Sequence, residues 1–593
     1  MQRARMRRLL MMGTLLLLPP VVGAVPGPVG SEFQVNTYTT DDQFSPAVAF
    51  DGAGNFVVVW ESVQGGSGLG IFGQRYDSAG TPQGAEFQVN TDTSGGLFPA
   101  VAADPAGNFV VAWQSPSGSS YDTYEVFGQR FDSTGTAQGP EFQVNTYTTG
   151  KQFRPAVGTD AVGNFVVVWT SGTPTVFWGG NSQDGSGTGI FGQRYDNTGL
   201  PIGSEFQVNT QTTNNQSDPS VTADPMGNFV VVWQSDIRSI YDNDIFGQRY
   251  DSAGTPQGSE FQVNTYTPTH QISPHVVADG AGNFVVVWNG FVAGGGVFAQ
   301  RYDATGLPVG SEFQVNAYTG AGGEHPTVAT DGAGNFVVAW NSYRQDGNAY
   351  GVFAQRYDSS GTPQGSEFQV NTYTPSFQAG PTMAADAAGN FVVLWTSYGQ
   401  DGNRNGVFGQ RYDSTGAAVP GQVPIGGTSL TLTDRSATRR RVTLRSTDPS
   451  LANGINLAIN PVATGAFLHV FNNAASGDSA CFSLPAAGWI GVNLGKAIYR
   501  YSDPSFANGP CNRVTIKRGR LLRASCRSSV QPIPYSLDEA MQGSVGVNLT
   551  IGPATYCAVF GGTITADSGA TGQFRASNAP APTSCPTPPT SCP

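Results

Sequence analysis

The residues able to do chemistry in this chain of 593 sit in a few recurring places. One is a Gly-rich loop, "TSGTPTVFWGGNSQDGSGTG", which sets Phe177 beside Trp178. Neighbouring aromatics on a loop are stacking surfaces for a sugar or a peptide, unless they fold back over the rim. A second is the tyrosine two residues after each "EFQVN": Tyr38, Tyr147, Tyr266, Tyr318 and Tyr373, with Asp92 and Gln211 in the other two copies. These could ring a binding mouth or pack into their own turns. A third is the Q-D-G phrase at Asp184, Asp346 and Asp401, which matches part of a calcium loop but lacks its alternating acidic ligands. No cofactor is therefore expected, calcium at these loops being a minor alternative. His270 and His275 flank Pro274, and His325 precedes Pro326; two such loops could share a metal, but nothing else marks the convergent ligands a site needs. The fourth histidine, His469, stands apart, and no nucleophile–base–acid constellation or sialidase-type S-x-D-x-G-x-x-W box is present. Among the many acids no catalytic pair is distinguished by spacing.

These residues hang on a repeat. "GNFVV" occurs seven times, from Gly54 to Gly389, and so do "EFQVN" and "QRYD" or "QRFD". The copy from Pro99 to Asn145 reads as four extended segments, PAVAAD, NFVVAW, VFGQRFD and EFQVN. D-x-x-G between segments is the chemistry of tight hairpins, Asp opening the turn and Gly taking the left-handed position. The second segment does not alternate apolar with polar, so both its faces are buried, as in a sheet stacked between two others. Face-to-face four-stranded sheets of this length predict an all-β fold, a seven-bladed β-propeller over residues 31–420. The chain opens on a lone "EFQVN" and ends on a triplet without one, which predicts a last blade closed by one strand from the start and three from the end. Gly73 and its equivalents are expected to let adjacent blades approach. The repeated arginines (Arg75, Arg130, Arg194, Arg249, Arg301, Arg356 and Arg411), with Glu32, Asp51 and their counterparts, are expected to form structural ion pairs.

Outside the repeats the composition shifts. Four arginines, an apolar Leu9–Leu18 run and small residues near Ala24 read as a signal peptide over 1–24, too short to span a bilayer. No other segment reads as a membrane span. All six cysteines (Cys481, Cys511, Cys526, Cys557, Cys585 and Cys592) follow the repeats, and in an exported chain they read as disulfides whose pairing is open. Residues 427–578 predict a smaller disulfide-bearing β-sandwich-like domain, and 579–593 a Pro/Ser/Thr/Cys tail. The net charge of −12 hides a division: the repeats are strongly acidic, while residues 421–593 are basic. That acidity argues against nucleic-acid binding by the repeats.

The phrases "GSEFQVNTYT", "GNFVVVW" and "QDGSGTGIFGQRYD" resemble a repeat of exported bacterial β-propeller proteins, and the resemblance covers residues 31–413. "LPAAGW", "YRYSD", "NGPC", "YCAVFGG" and "FRASNAP" resemble a C-terminal module of secreted bacterial proteins. The resemblance implies a periplasmic, surface or extracellular location and carries over no catalytic residue. The leading expectation is an exported, non-catalytic binding or surface-interaction protein, adhesin-like, that uses a propeller face to recognise a glycan or protein ligand. The alternatives are an extracellular hydrolase or lyase with an acidic site in the propeller mouth, and a structural scaffold or spacer.

Overall fold

The computed structural model describes residues 29–580, apart from 66–67, 92–94, 118–122, 174–182, 237–242, 292–294, 319–322, 415–420, 425, 435, 437–438, 448–460, 462–464, 473–478, 494–497, 518–520, 529–532, 534–542, 552–553, 562 and 569–571. The leader, the tail, Asp92, Cys585, Cys592 and the Phe177–Trp178 pair lie outside the described residues. The described chain is all-β. The second strand of the second repeat, Phe109–Pro116, is buried along its whole length, as are Phe56–Ser62 and Phe165–Gly172, because neighbours cover both faces. No helix among the described residues is long and apolar enough to cross a membrane.

Among the described residues the repeats form seven four-stranded antiparallel sheets. The first runs Gln43–Phe50, Phe56–Ser62, Gly70–Tyr76 and Pro82–Gln88, and five more follow in the same order. The last is composite. Gln378–Ala385, Phe391–Tyr398 and Asn405–Tyr412 are completed by Val29–Gln34, whose Phe33 faces Gly409. Each hydrophobic cluster mixes two successive sheets. Val57, Val59 and Ile71 pack with Phe109, Val111 and Trp113, while Val58 and Trp60 on the other face pack with Val392, Leu394 and Val407 of the composite sheet. The seven strand tryptophans are at most 1 % exposed, so they serve packing.

Two expectations about the repeats need correction. The arginines do bridge neighbouring sheets, but to backbone carbonyls rather than carboxylates. Arg194 donates to the carbonyls of Ala253 and Ser252, 2.5 Å each, and Arg301 donates to those of Ser360 and Ser359. A planar guanidinium fork fits the two successive carbonyls of the next sheet's hairpin. A glutamate also joins neighbouring sheets: the Thr37 N–H and hydroxyl both donate to Glu86 at 2.9 Å. The glycine of "FGQRY" answers a contact within its own sheet, not between sheets. A Cβ on Gly247 would meet the Phe261 ring at 2.8 Å, directly across the ladder. Ala299 and Ala354 occupy the equivalent site opposite Phe313 and Phe368, so the ring can move. Gly247→Ala should therefore cost less than about 1 kcal/mol in a denaturant titration; a loss of several kcal/mol would show that the phenylalanine is locked.

The C-terminal part holds a five-stranded and an eight-stranded sheet over one shared core that includes Leu430, Val514, Leu468 and Val547. Cys511 and Cys526, directly opposed on adjacent strands, form a disulfide, and Cys481 and Cys557 are also disulfide-bonded.

Candidate functional site

A cavity of about 890 Å³ is lined by the first strands of all seven sheets. One end is built by the D-x-x-G-N turns. There Asp51 spends its carboxylate on its own turn, accepting from the Ala53 and Asn55 N–H groups and the Asn55 amide. With its hydrogen-bonding capacity used locally, that end is structural.

The other end differs in kind. Near its start every first strand has a register break at an X-Pro step, as between Phe44 and Ala47 or between Ser217 and Ser220. Proline has no N–H for the ladder, and the residue before it bulges into the left-handed region. Ser45, Phe98, Arg154, Asp218, Ser273 and His325 have φ of 49–56°, and Gly380 has 63°. A side chain in this region costs about 1 kcal/mol or more, yet only one of the seven is glycine. The proline that follows is invariant, while this position is Ser, Phe, Arg, Asp, Ser, His and Gly in the seven copies. A bulge repeated seven times around one mouth with six residue types is a way of aiming residues into it.

In four of the sheets the residue after the strand tryptophan holds the bulge. Its side chain accepts the bulge N–H of the next sheet: Gln114 from Arg154 at 2.8 Å, Gln234 from Ser273 at 3.0 Å and Asn341 from Gly380 at 3.0 Å. In the first sheet this residue is Glu61, accepting from Phe98 N–H at 2.8 Å. The other six copies carry Gln, Thr or Asn, and Gln114, Gln234 and Asn341 make the same clamp without a charge. Glu61 is 1 % exposed, and its Oε2 is buried without a hydrogen-bond partner. Burial pushes its carboxyl up to about 7, against weaker lowering by the Phe98 N–H and the Ser45 hydroxyl. Such a carboxyl exchanges its proton near neutrality.

Glu61 stands at one end of a continuous run. Ser45 and Phe98, which touch it, both line the cavity. The Arg154 guanidinium lies over the Phe98 ring, 5.7 Å from its centroid, and is ion-paired with Asp218 of the next sheet. Four successive sheets thus supply a hydroxyl backed by a neutral-range acid, an exposed aromatic face, a cation and a carboxylate. His275 also lines the cavity, but it is half-buried, and desolvation lowers it to about 4 and holds it neutral, with Nδ1 accepting the Val328 N–H at 3.4 Å. Both His275 and His325 lie on strands, not on the loops expected to share a metal.

The residues singled out from sequence lie elsewhere. Tyr38, Tyr147, Tyr266, Tyr318 and Tyr373 do not line the cavity. Their carbonyls accept from the asparagine of the preceding "EFQVN", at 2.8 Å for Tyr38 and 2.7 Å for Tyr318. Asp184, Asp346 and Asp401 each accept the N–H two residues on, at 3.0 Å, and form local turns. The glutamines before them reach the outer strands, as Gln400 does to Glu32 at 2.8 Å. No group of three His, Cys, Asp or Glu side chains able to hold a metal ion occurs among the described residues. Sequence reasoning missed Glu61, Phe98, Arg154 and Asp218. The available signal was variation beside fixed residues: the positions after the invariant Trp and before the invariant Pro differ among the copies.

No family model matches the chain, and no curated protein matches it. Solved structures do. A protein of unknown function from Dyadobacter fermentans aligns at 12% identity and TM-score 0.41, covering 54% of this chain and 94% of its own. The α-L-arabinanase of Penicillium chrysogenum, complexed with arabinobiose, aligns at 15% identity and TM-score 0.38, covering 56% and 98%. A polysaccharide lyase of family PL25, an ulvan lyase, aligns at 9% identity and TM-score 0.40, covering 66% and 96%. The expectation of a non-catalytic binding platform is corrected here. The arabinanase and the lyase are glycan-degrading enzymes by their own descriptions, and in this chain the mouth holds a titratable acid that its scaffold does not require. At these TM-scores the weight rests on the mouth.

Proposed function

We propose that the chain is a glycan-cleaving enzyme whose active site is the mouth at Ser45, Phe98, Arg154 and Asp218, with Glu61 as its proton-holding group. The observation that carries this reading is the Glu61 carboxyl: buried, unpaired at Oε2, near 7, and standing where every other copy has an uncharged residue. Cleaving a glycosidic bond requires protonation of the leaving oxygen, and a carboxyl kept protonated close to neutrality does this. Since Glu61 itself is covered, Ser45 is the contact group, its hydroxyl giving a proton to the leaving oxygen as it takes one from Glu61. Phe98 offers a stacking face to a sugar ring. The Arg154–Asp218 pair supplies donors and acceptors for hydroxyls, with Asp218 as the second carboxylate that hydrolysis uses.

The seven sheets are read as the blades of a closed seven-bladed propeller, supported by the composite last sheet and by core clusters that run from each sheet to the next and back to the first. Export is proposed with it, on the basic and apolar character of residues 1–24.

The test is a panel of arabinan, polygalacturonate and sulfated algal polysaccharide incubated with the full chain. New reducing ends report hydrolysis, and the ultraviolet absorbance of an unsaturated uronate reports elimination. Cleavage of at least one polymer, lost in Glu61→Gln and weakened in Ser45→Ala, is expected. A folded chain that cleaves none, or cleaves equally well as Glu61→Gln, would remove the reading.

A further inference from the structure

The eight-stranded C-terminal sheet turns one face to the shared core and the other to solvent. Its inward residues, such as Val442, Leu444, Val514 and Leu522, are buried. Arg441, Arg445, Arg500, Arg513, Arg523, Arg527 and Arg575 point outward and are exposed. The registers set them in rows across the strands. One row reads Arg500, Thr515, Arg523, Arg445, Ser429; the next reads Arg513, Ser525, Thr443, Thr431, Arg575. Neighbouring strands are about 4.8 Å apart and the rows about 7 Å apart, so the face is a lattice of guanidinium forks and hydroxyls.

Two features make this more than a polar surface. Arg441 faces Arg527 directly, and Arg445 faces Arg523. Like charges placed opposite each other oppose folding, so the sheet carries these pairs at a cost to its own stability. The outward positions of these strands hold no carboxylate to offset them; Asp434 lies on the inward side with Arg440. None of the seven outward arginines is in an ion pair among the described residues. The face is basic on a chain whose net charge is −12.

We infer that this face binds a polyanionic polysaccharide, one bearing regularly spaced carboxylate or sulfate groups, and holds the chain on it. A guanidinium fork takes a carboxylate or sulfate through two parallel hydrogen bonds, and the Ser and Thr hydroxyls between the forks match sugar hydroxyls. Among its outward described residues no aromatic side chain stands ready to stack on a base or anchor in a membrane interface, which favours a glycan over single-stranded nucleic acid or a bilayer. This site is separate from the mouth and does not depend on the mouth's chemistry.

The test uses the full chain at low salt with polygalacturonate for carboxylate, dextran sulfate for sulfate and neutral dextran as control. Anionic phospholipid vesicles and a DNA duplex are the competing arms. Saturable binding to one or both acidic polymers, absent with neutral dextran and weakening steeply with added salt, is expected. Arg445→Glu should weaken it on the order of tenfold and flatten its salt dependence. That variant also places opposite charges across the strands, so it should unfold no more easily than the parent, which separates lost binding from lost fold. Arg500→Ala, whose cross-strand partner is Thr515, is the second variant and should weaken binding in the same direction. Glu61→Gln should leave binding unchanged, so failure here and failure of the mouth are told apart. Vesicles or DNA bound as tightly as the acidic polysaccharides, binding untouched by both arginine variants, or no binding to either acidic polymer would each overturn the inference.

Discussion

Glu61→Gln is expected to lower cleavage by about 10²-fold or more while leaving the fold intact, because general acid–base groups contribute factors of that order. The amide keeps the clamp on the Phe98 N–H, since Gln114 and Gln234 already hold the equivalent N–H groups. What it removes is the proton. In the parent chain kcat/KM should fall as pH rises through about 7, where Glu61 loses its proton. Stability gives a second readout with a definite sign. The folded-state value lies above the ordinary carboxyl value of 4.5, so the folded chain binds the proton more tightly. Glu61 therefore weighs least on the fold below about pH 4.5. Its contribution is lost as pH rises from there to about 7, and changes little beyond. Over that window the loss is about 3 kcal/mol by linkage. Denaturant midpoints at pH 4 and pH 8 should diverge by that order in the parent relative to Glu61→Gln, with the variant the more resistant at high pH. Parallel curves would mean that Glu61 ionises normally and would take away the ground for its role.

Phe33→Ala/Val35→Ala is expected to lower stability by about 5 kcal/mol, a large part of the 5–15 kcal/mol typical of a folded domain. Phe33 lies over Gly409 and meets Tyr76 edge-on at 5.7 Å, while Val35 is 2 % exposed and its N–H donates to the Val407 carbonyl at 2.9 Å. Phe206→Ala/Val208→Ala removes the same contacts from the third sheet, but there the strand continues the hairpin of its own sheet. The closing strand has no such tether on its sheet. Its registry rests on these contacts, on the ladder to Asn405–Tyr412 and on Asn36, whose Oδ1 accepts the Val407 N–H at 2.7 Å. The first double variant should expose residues 29–42 to protease well below its unfolding midpoint, and the second should not open there. Equal protease resistance in both would show that the seam between first and last sheets is no weaker than any other.

Much of the architecture was legible because it is local and repeated. D-x-x-G turns, unbroken apolar second strands and an orphan "EFQVN" each impose a conformation through nearby atoms, and repetition multiplied the signal. The mouth was not legible for the opposite reason. Phe177 and Trp178, and the tyrosines after "EFQVN", drew notice as aromatics on loops, whereas Phe98 lies within a strand pattern and Glu61 within a core phrase. The repeat's glycines and arginines were read in the right places but given the wrong partners, since the next hairpin's carbonyls and the same-sheet phenylalanine come close only once the sheets are stacked.

By itself the sequence determined that this chain is built from β-hairpins with both faces of the second strand buried, and that its charge is divided between an acidic repeat region and a basic C-terminal part. Those properties follow from residue type and from neighbours within a few positions. The tertiary structure alone decided that Ser45, Phe98, Arg154 and Asp218 share a mouth, that Glu61 lies behind it with one carboxylate oxygen unpartnered, and that seven arginines cover one face of a sheet. Proximity between residues on different sheets or strands, and the loss of water that raises a carboxyl to about 7, arise from packing over long sequence separations. No window of the chain contains them.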